Sequence, residues 1–192
     1  MNVNGVITAL EQARNEATVT PLKNIDSPTE LIHHILNTHH AFTRSELDRL
    51  DKLVSKIVER HSEARPELKK IGECYRALRD DLLPHLMKEE NVLFPYIEAL
   101  EKHHRGEASP PVACFGSIEN PLRQMHNEHE TVMALLARMR LLTNDYETPA
   151  DVCTSYRTTL QSLQALESDL LSHIALENDV LFPQAKKLAE SV

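Results

Sequence analysis

The apolar positions of this chain recur at steps of three and four rather than two, the period of helices that bury one face. One such stripe runs Leu36, His40, Thr43, Leu47, Leu50, Val54 and Ile57, and a second runs Ile71, Tyr75, Leu78, Leu82, His85, Glu89, Val92 and Tyr96. A third runs Leu122, Met125, His129, Val132 or Met133, Leu136 and Met139. The fourth runs Leu160, Leu163, Leu166, Leu170, His173, Glu177 and Val180 or Leu181. Ser27-Pro28-Thr29-Glu30 marks the first helix start: an N-cap hydroxyl, a Pro where no N–H is needed, and a Glu at the capping-box position. Pro66-Glu67 and Asn120-Pro121 predict two further starts, residues 106–117 read as a loop, and the polar stretch 143–149 precedes a last helix reaching about Leu188. Four long helices with short connections predict an all-α, up-down-up-down four-helix bundle over residues 28–190. Residues 1–27 form a short N-terminal extension, with an amphipathic helix over 1–17 (Val6, Ile7, Leu10, Ala13, Ala17) and a linker after it. Pro84, Pro95 and Pro183 lie inside helical stretches and predict kinks or ends.

Composition agrees with this reading. Among 192 residues there are four Gly and no Trp, which suits helices better than a sheet full of tight turns. Twenty-one Lys and Arg against 29 Asp and Glu give a net charge of -8, with no basic stripe, so nucleic acid is not an expected partner. No apolar run approaches the roughly 20 residues of a membrane span, and the first 20 residues lack the features of a signal peptide. Cys74, Cys114 and Cys153 are odd in number and form no CxxC, which predicts free thiols in a reducing, cytoplasmic compartment. No histidine spacing marks any of them as a nucleophile.

The unusual component is histidine, with 11 residues, several of them on the inner stripes. Residues 77–95 and 165–183 share 11 of 19 positions, with the skeleton ALxxDLLxHxxxExxVLFP. Helices 2 and 4 are therefore copies of one element, diagonal in the bundle and running in the same direction. In HxxxE the two side chains lie one above the other on a helix face, so an imidazole and a carboxylate reach one metal pair. His40 and His129 on the other two helices complete four His and two Glu: His40, His85, His129 and His173 with Glu89 and Glu177. This set fits a dinuclear site in which each metal takes two imidazoles and both glutamates bridge. His61 is excluded from it, because 21 residues at the helical rise place it about 31 Å from His40. His129 and His173 come level only if helix 4 overhangs helix 3. His126 is a candidate fifth imidazole, whereas His33, His34 and His39 read as flanking or solvated. Asp81 and Asp169, four residues before each repeat histidine, are expected to accept the free N–H of His85 and His173. Burying two unpaired carboxylates costs several kcal/mol each, which favours a metal over an empty polar core. Spacing does not choose among iron, manganese and zinc.

The segments LIHHILNTHHAFTRSEL around His40, HLMKEENVLFP from His85, MHNEHE around His129 and HIALENDVLFP from His173 resemble the hemerythrin-like (HHE cation-binding) family. Within it they are most similar to the repair-of-iron-centres (ScdA-type) group. The resemblance implies two iron ions in an oxo- or hydroxo-bridged centre, held by His40, His85, His129 and His173 with Glu89 and Glu177 bridging. It implies a role in nitrosative and oxidative stress, through NO or O2 handling or iron donation to damaged iron-sulfur clusters, with NO, O2 and iron-sulfur proteins as partners. The alternative is a reversible O2 or NO binder or sensor, and a third is a di-iron catalyst. Two departures stand out: residues 1–27 hold no cysteine, where repair proteins carry a cysteine-containing domain, and Met125 and Met133 stand where oxygen carriers place a second histidine on helix 3.

Overall fold

The computed structural model describes residues 27–191 together with Gly5, Thr8, Leu10 and Gln12. The amphipathic helix expected over 1–17 falls largely outside the described residues, as does the linker after it. The four described residues there are helical, and Leu10 is fully buried in the core.

The described residues build four helical rods and no strand. The first is α1 (Pro28–Ile35), a π-helical turn (Leu36–His40) and α2 (Ala41–His61). The second is α3 (Glu67–Lys88), a π-turn (Glu89–Leu93) and α4 (Phe94–His104). The third is α5 (Glu119–Leu142), and the fourth is α6 (Thr154–Leu176), a π-turn (Glu177–Leu181) and α7 (Phe182–Ala189). Ser27 caps α1, its Oγ accepting the Glu30 N–H at 3.3 Å. The first rod packs on the second and fourth, and the second on the third. Rods two and four stay diagonal along α3 and α6 but meet beyond their π-turns, where α4 touches α7. His129 lies 13 residues before the end of α5 and His173 lies 19 residues into α6, so the fourth rod does overhang the third.

The apolar interior is divided in two. One cluster holds Leu47 to Ile57, Leu68 to Leu82, Val132 to Met139 and the α6 leucines; the other holds Leu31 to Ile35, Leu93 to Leu100, Ile118 to Met125 and Leu176 to Ala185. On every rod the inward His or Glu lies between a stretch in one cluster and a stretch in the other, and the order reverses from rod to rod, as antiparallel packing requires. Each fully buried Leu or Ile contributes about 1.5–3 kcal/mol. The two apolar clusters hold the rods together around a polar layer that could not do so itself. At Gly72 a Cβ would stand 3.1 Å from Val58 Cγ2, so the missing side chain lets α3 lie close on α2.

The π-turns correct the expected stripes. A turn closed by an i to i−5 bond uses one extra residue and rotates everything beyond it by about a fifth to a third of a turn. Past the second π-turn Leu93, Phe94 and Ile97 are buried, whereas Val92 is exposed and Tyr96 only half-buried. On the first rod Leu31, Ile32 and Ile35 enter the core and Leu36 remains half-buried, for the same reason. Proline explains two of the three wide turns. Pro95 and Pro183 have no N–H, and in an α-helix their rings would press on the carbonyl four residues back. The Phe94 N–H instead reaches Glu89 O, and the Phe182 N–H reaches Glu177 O. Pro84 does not end its helix: α3 continues through it to Lys88.

Candidate metal centre

The six residues singled out by spacing meet between the two apolar clusters. His40, His85, His129 and His173 are 2–3% exposed, and Glu89 and Glu177 are completely buried. They form two groups, His40, Glu89, His173 and Glu177, and His85, Glu89, His129 and Glu177. In each group the candidate ligand atoms lie within 4.8 Å of one another, and both glutamates belong to both groups. His40 Nε2 and His85 Nε2 each stand 3.4 Å from Glu89 Oε2, His129 Nε2 stands 3.2 Å from Glu177 Oε2, and His173 Nε2 stands 3.0 Å from Glu177 Oε1. Within the groups, the His40–His173 and His85–His129 ring pairs have the same 4.9 Å centroid separation and interplanar angles of 61° and 64°. The repeat is thus expressed as a pseudo-twofold at the site.

The donor set fits cations. Both oxygens of Glu89, one oxygen of Glu177 and Nε2 of His129 are buried without a hydrogen-bond partner. Such groups are costly to leave unpaired, by about 1–3 kcal/mol each. Two ligands at roughly right angles on one ion, each about 2.1 Å from it, stand about 3 Å apart, close to the separations here. Electrostatics point the same way. Burial and the charge of Glu177 push Glu89 well above the ordinary carboxylate range. Burial would also raise Glu177, but His173 and His129 hold it well below. Burial and the neighbouring His129 push the His85 imidazole down to about 4, so it is neutral and able to ligate at pH 7.

The outer nitrogens are held by residues that spacing had not assigned. His40 Nδ1 bonds Glu90 Oε1 at 2.9 Å, His85 Nδ1 bonds Glu128 Oε2 at 2.9 Å, and His129 Nδ1 bonds Asn178 Oδ1 at 3.1 Å. Such partners fix the tautomer and aim the opposite nitrogen inward. Glu90 is anchored by Arg44 at 2.9 Å, and Glu128 by Gln124 at 2.7 Å and by Lys88. These contacts overcome the effect of burial and hold both carboxyls below their ordinary range. Glu90 and Asn178 each directly follow a central glutamate, about 100° further round the helix, and so face the next rod. That position in HxxxE[EN] was the readable signal. The Phe of each LFP covers an imidazole of a neighbouring rod: Phe94 lies 5.6 Å from His40, and Phe182 is stacked 6.1 Å from His129.

Asp81 and Asp169 do not serve the repeat histidines. Asp81 is exposed and the outer nitrogen of His85 is taken by Glu128, while Asp169 bonds His39 Nδ1 at 2.9 Å and His173 Nδ1 has no partner. His39 is buried, not solvated, and stacks on His173 at 5.5 Å. The first π-turn brings it there by letting two successive residues face inward. His126 is exposed, bonds Leu122 O through Nδ1 at 2.8 Å, and belongs to neither group.

A four-rod bundle with a buried cluster of four histidines and two shared glutamates defines a class of helical cation-binding proteins. Residues 31–185 match the Hemerythrin HHE cation binding domain, and the chain belongs to that family. It is 30% identical over 186 residues, 95% of its length, to the iron-sulfur cluster repair protein ScdA of Staphylococcus epidermidis, covering 78% of that protein. It is 31% identical over 156 residues to the iron-sulfur cluster repair protein YtfE of Escherichia coli O157:H7 and 32% to that of Cronobacter sakazakii, in each case 81% of this chain and 65% of the relative. No helix among the described residues is long and apolar enough to cross a membrane.

Proposed function

We propose that this chain is a non-haem di-iron protein of the iron-centre-repair type, acting in nitrosative and oxidative stress by handling NO or O2 or by donating iron to damaged iron-sulfur clusters. The observation that carries this reading is the pair of four-residue groups sharing two buried carboxylates. His40 and His173 would hold one ion and His85 and His129 the other, with Glu89 and Glu177 available to both. The names of the relatives support iron over manganese or zinc, which a nitrogen and oxygen donor set would also accept. Iron at these positions supplies ligand exchange and one-electron chemistry. The protein contributes the rest: Glu90, Glu128 and Asn178 keep three imidazoles aimed, and Phe94 and Phe182 shield the ring faces from water. Residues 28–190 are the metal-holding unit and residues 1–27 an extension. Iron-sulfur proteins, NO and O2 are the partners, and three free thiols suit the cytoplasm.

The test is metal content by mass spectrometry on protein purified without chelators, then anaerobic optical titration with NO and afterwards O2. Two irons per chain, a spectral response to NO and only irreversible change with O2 support this reading. A response to O2 that reverses on its removal would replace it with a reversible binder or sensor. Zinc, or no metal, would overturn the di-iron assignment.

A further inference from the structure

At the opposite end of α2 from the metal centre, His61 Nε2 lies 3.2 Å from the sulfur of Cys153. The two residues are 92 apart in the sequence, which is why no local spacing revealed them. Cys153 occupies the N-cap of α6, a position usually held by a side chain that bonds the first turn. Its sulfur makes no such bond and faces His61 instead. His61 is the last residue of α2. His61 meets the ring of Tyr156 edge-on at 6.5 Å, and the Arg65 guanidinium lies 5.6 Å from the centre of that ring. Arg65 is itself tied to Asp151 at 2.7 Å. The other two thiols differ: Cys114 is exposed and hydrogen-bonds no histidine among the described residues, and Cys74 is buried and donates to Leu135 O at 3.5 Å.

We propose that Cys153 and His61 form a nucleophile–base pair that makes Cys153 a site of thiol–disulfide exchange with low-molecular-weight disulfides. The arrangement has the parts such a step requires: an exposed sulfur and a base within hydrogen-bond reach of it. As Sγ bonds one sulfur of the disulfide, its proton passes to His61 Nε2 and the S–S bond breaks. The departing thiolate then takes that proton. The products are a mixed disulfide on Cys153 and one free small thiol. The charges that develop are placed well, because a helix N-terminus favours the negative sulfur and a helix C-terminus favours an imidazolium. The pair lies about 31 Å along α2 from His40, so it works apart from the metal site.

The experiment is exposure of the metal-loaded full chain to oxidised glutathione at neutral pH, with the mixed disulfide at each cysteine followed over time by peptide mass spectrometry. Cys153 should react at least about tenfold faster than Cys114, with Cys74 unmodified. His61→Gln should bring Cys153 down to the rate of Cys114 without changing the Cys114 rate or the metal content. Equal rates at Cys153 and Cys114 in the unaltered protein would overturn the proposal without any variant. So would a His61→Gln protein in which Cys153 reacts as fast as before.

Discussion

His85 and His173 occupy matching positions in the two copies of ALxxDLLxHxxxExxVLFP, yet their surroundings differ. The outer nitrogen of His85 bonds Glu128, the residue before His129 on the neighbouring rod. The residue in the equivalent place for His173 is His39, which precedes His40. It cannot offer a carboxylate and turns to Asp169, leaving His173 Nδ1 without a partner. The other two imidazoles keep the symmetry, His40 with Glu90 and His129 with Asn178. The repeat therefore sets which atoms face inward, while the neighbouring rod sets how firmly each imidazole is held.

The two halves share Glu89 and Glu177. Glu177→Ala takes a ligand from each group at once and should abolish stoichiometric metal binding, measured by mass spectrometry. Retention of one ion per chain would mean that the halves are independent. Glu128→Gln sharpens the contrast by removing a charged acceptor from one half, and should weaken that half about ten- to a hundredfold in competition with a chelator. His39→Gln, facing an imidazole that has no partner to lose, should change affinity far less. Equal losses from the two variants would show that the asymmetry has no energetic consequence.

A third prediction concerns the protein stripped of metal. Glu89 has a folded value raised above its unfolded one, so the stability it contributes is present below about 4.5 and is lost as pH rises. Glu89→Gln should therefore stabilise the stripped protein at pH 7 by about 2 kcal/mol, or roughly 4–8 °C in Tm, with the gain shrinking towards pH 4.5. His85 works in the opposite sense: lowered to about 4, it loses stability for the fold as pH falls from about 6.5 through that value. The two windows overlap in acid. Thermal melts across pH 4 to 8 separate them, and a destabilised Glu89→Gln protein at pH 7 would show that its carboxylate is paired even without metal.

The smallest expected effect lies far from the site. Asn144, Asp145 and Tyr146 all have positive φ, and this strained corner is pinned where Tyr146 donates to Glu167 at 2.8 Å beside Arg140. Tyr146→Phe should cost about 1 kcal/mol by denaturant melt and leave metal content unchanged.

The four rods and the six inward residues follow from local geometry and so are legible in the sequence: 3.6 residues per turn makes HxxxE a single face wherever it occurs. The capping signal at Ser27 and the duplicated LFP elements were legible for the same reason. The remaining features depend on rotation and on partners distant in sequence. Three π-turns each add one residue, and so exchange Val92 for Leu93 and bring His39 inside beside His40. Packing between the rods then leaves Asp81 at the surface, makes Glu90, Glu128 and Asn178 the partners of the imidazoles, and sets Cys153 against His61. A helical period says which side chains share a face, but what a face meets is set by packing between rods.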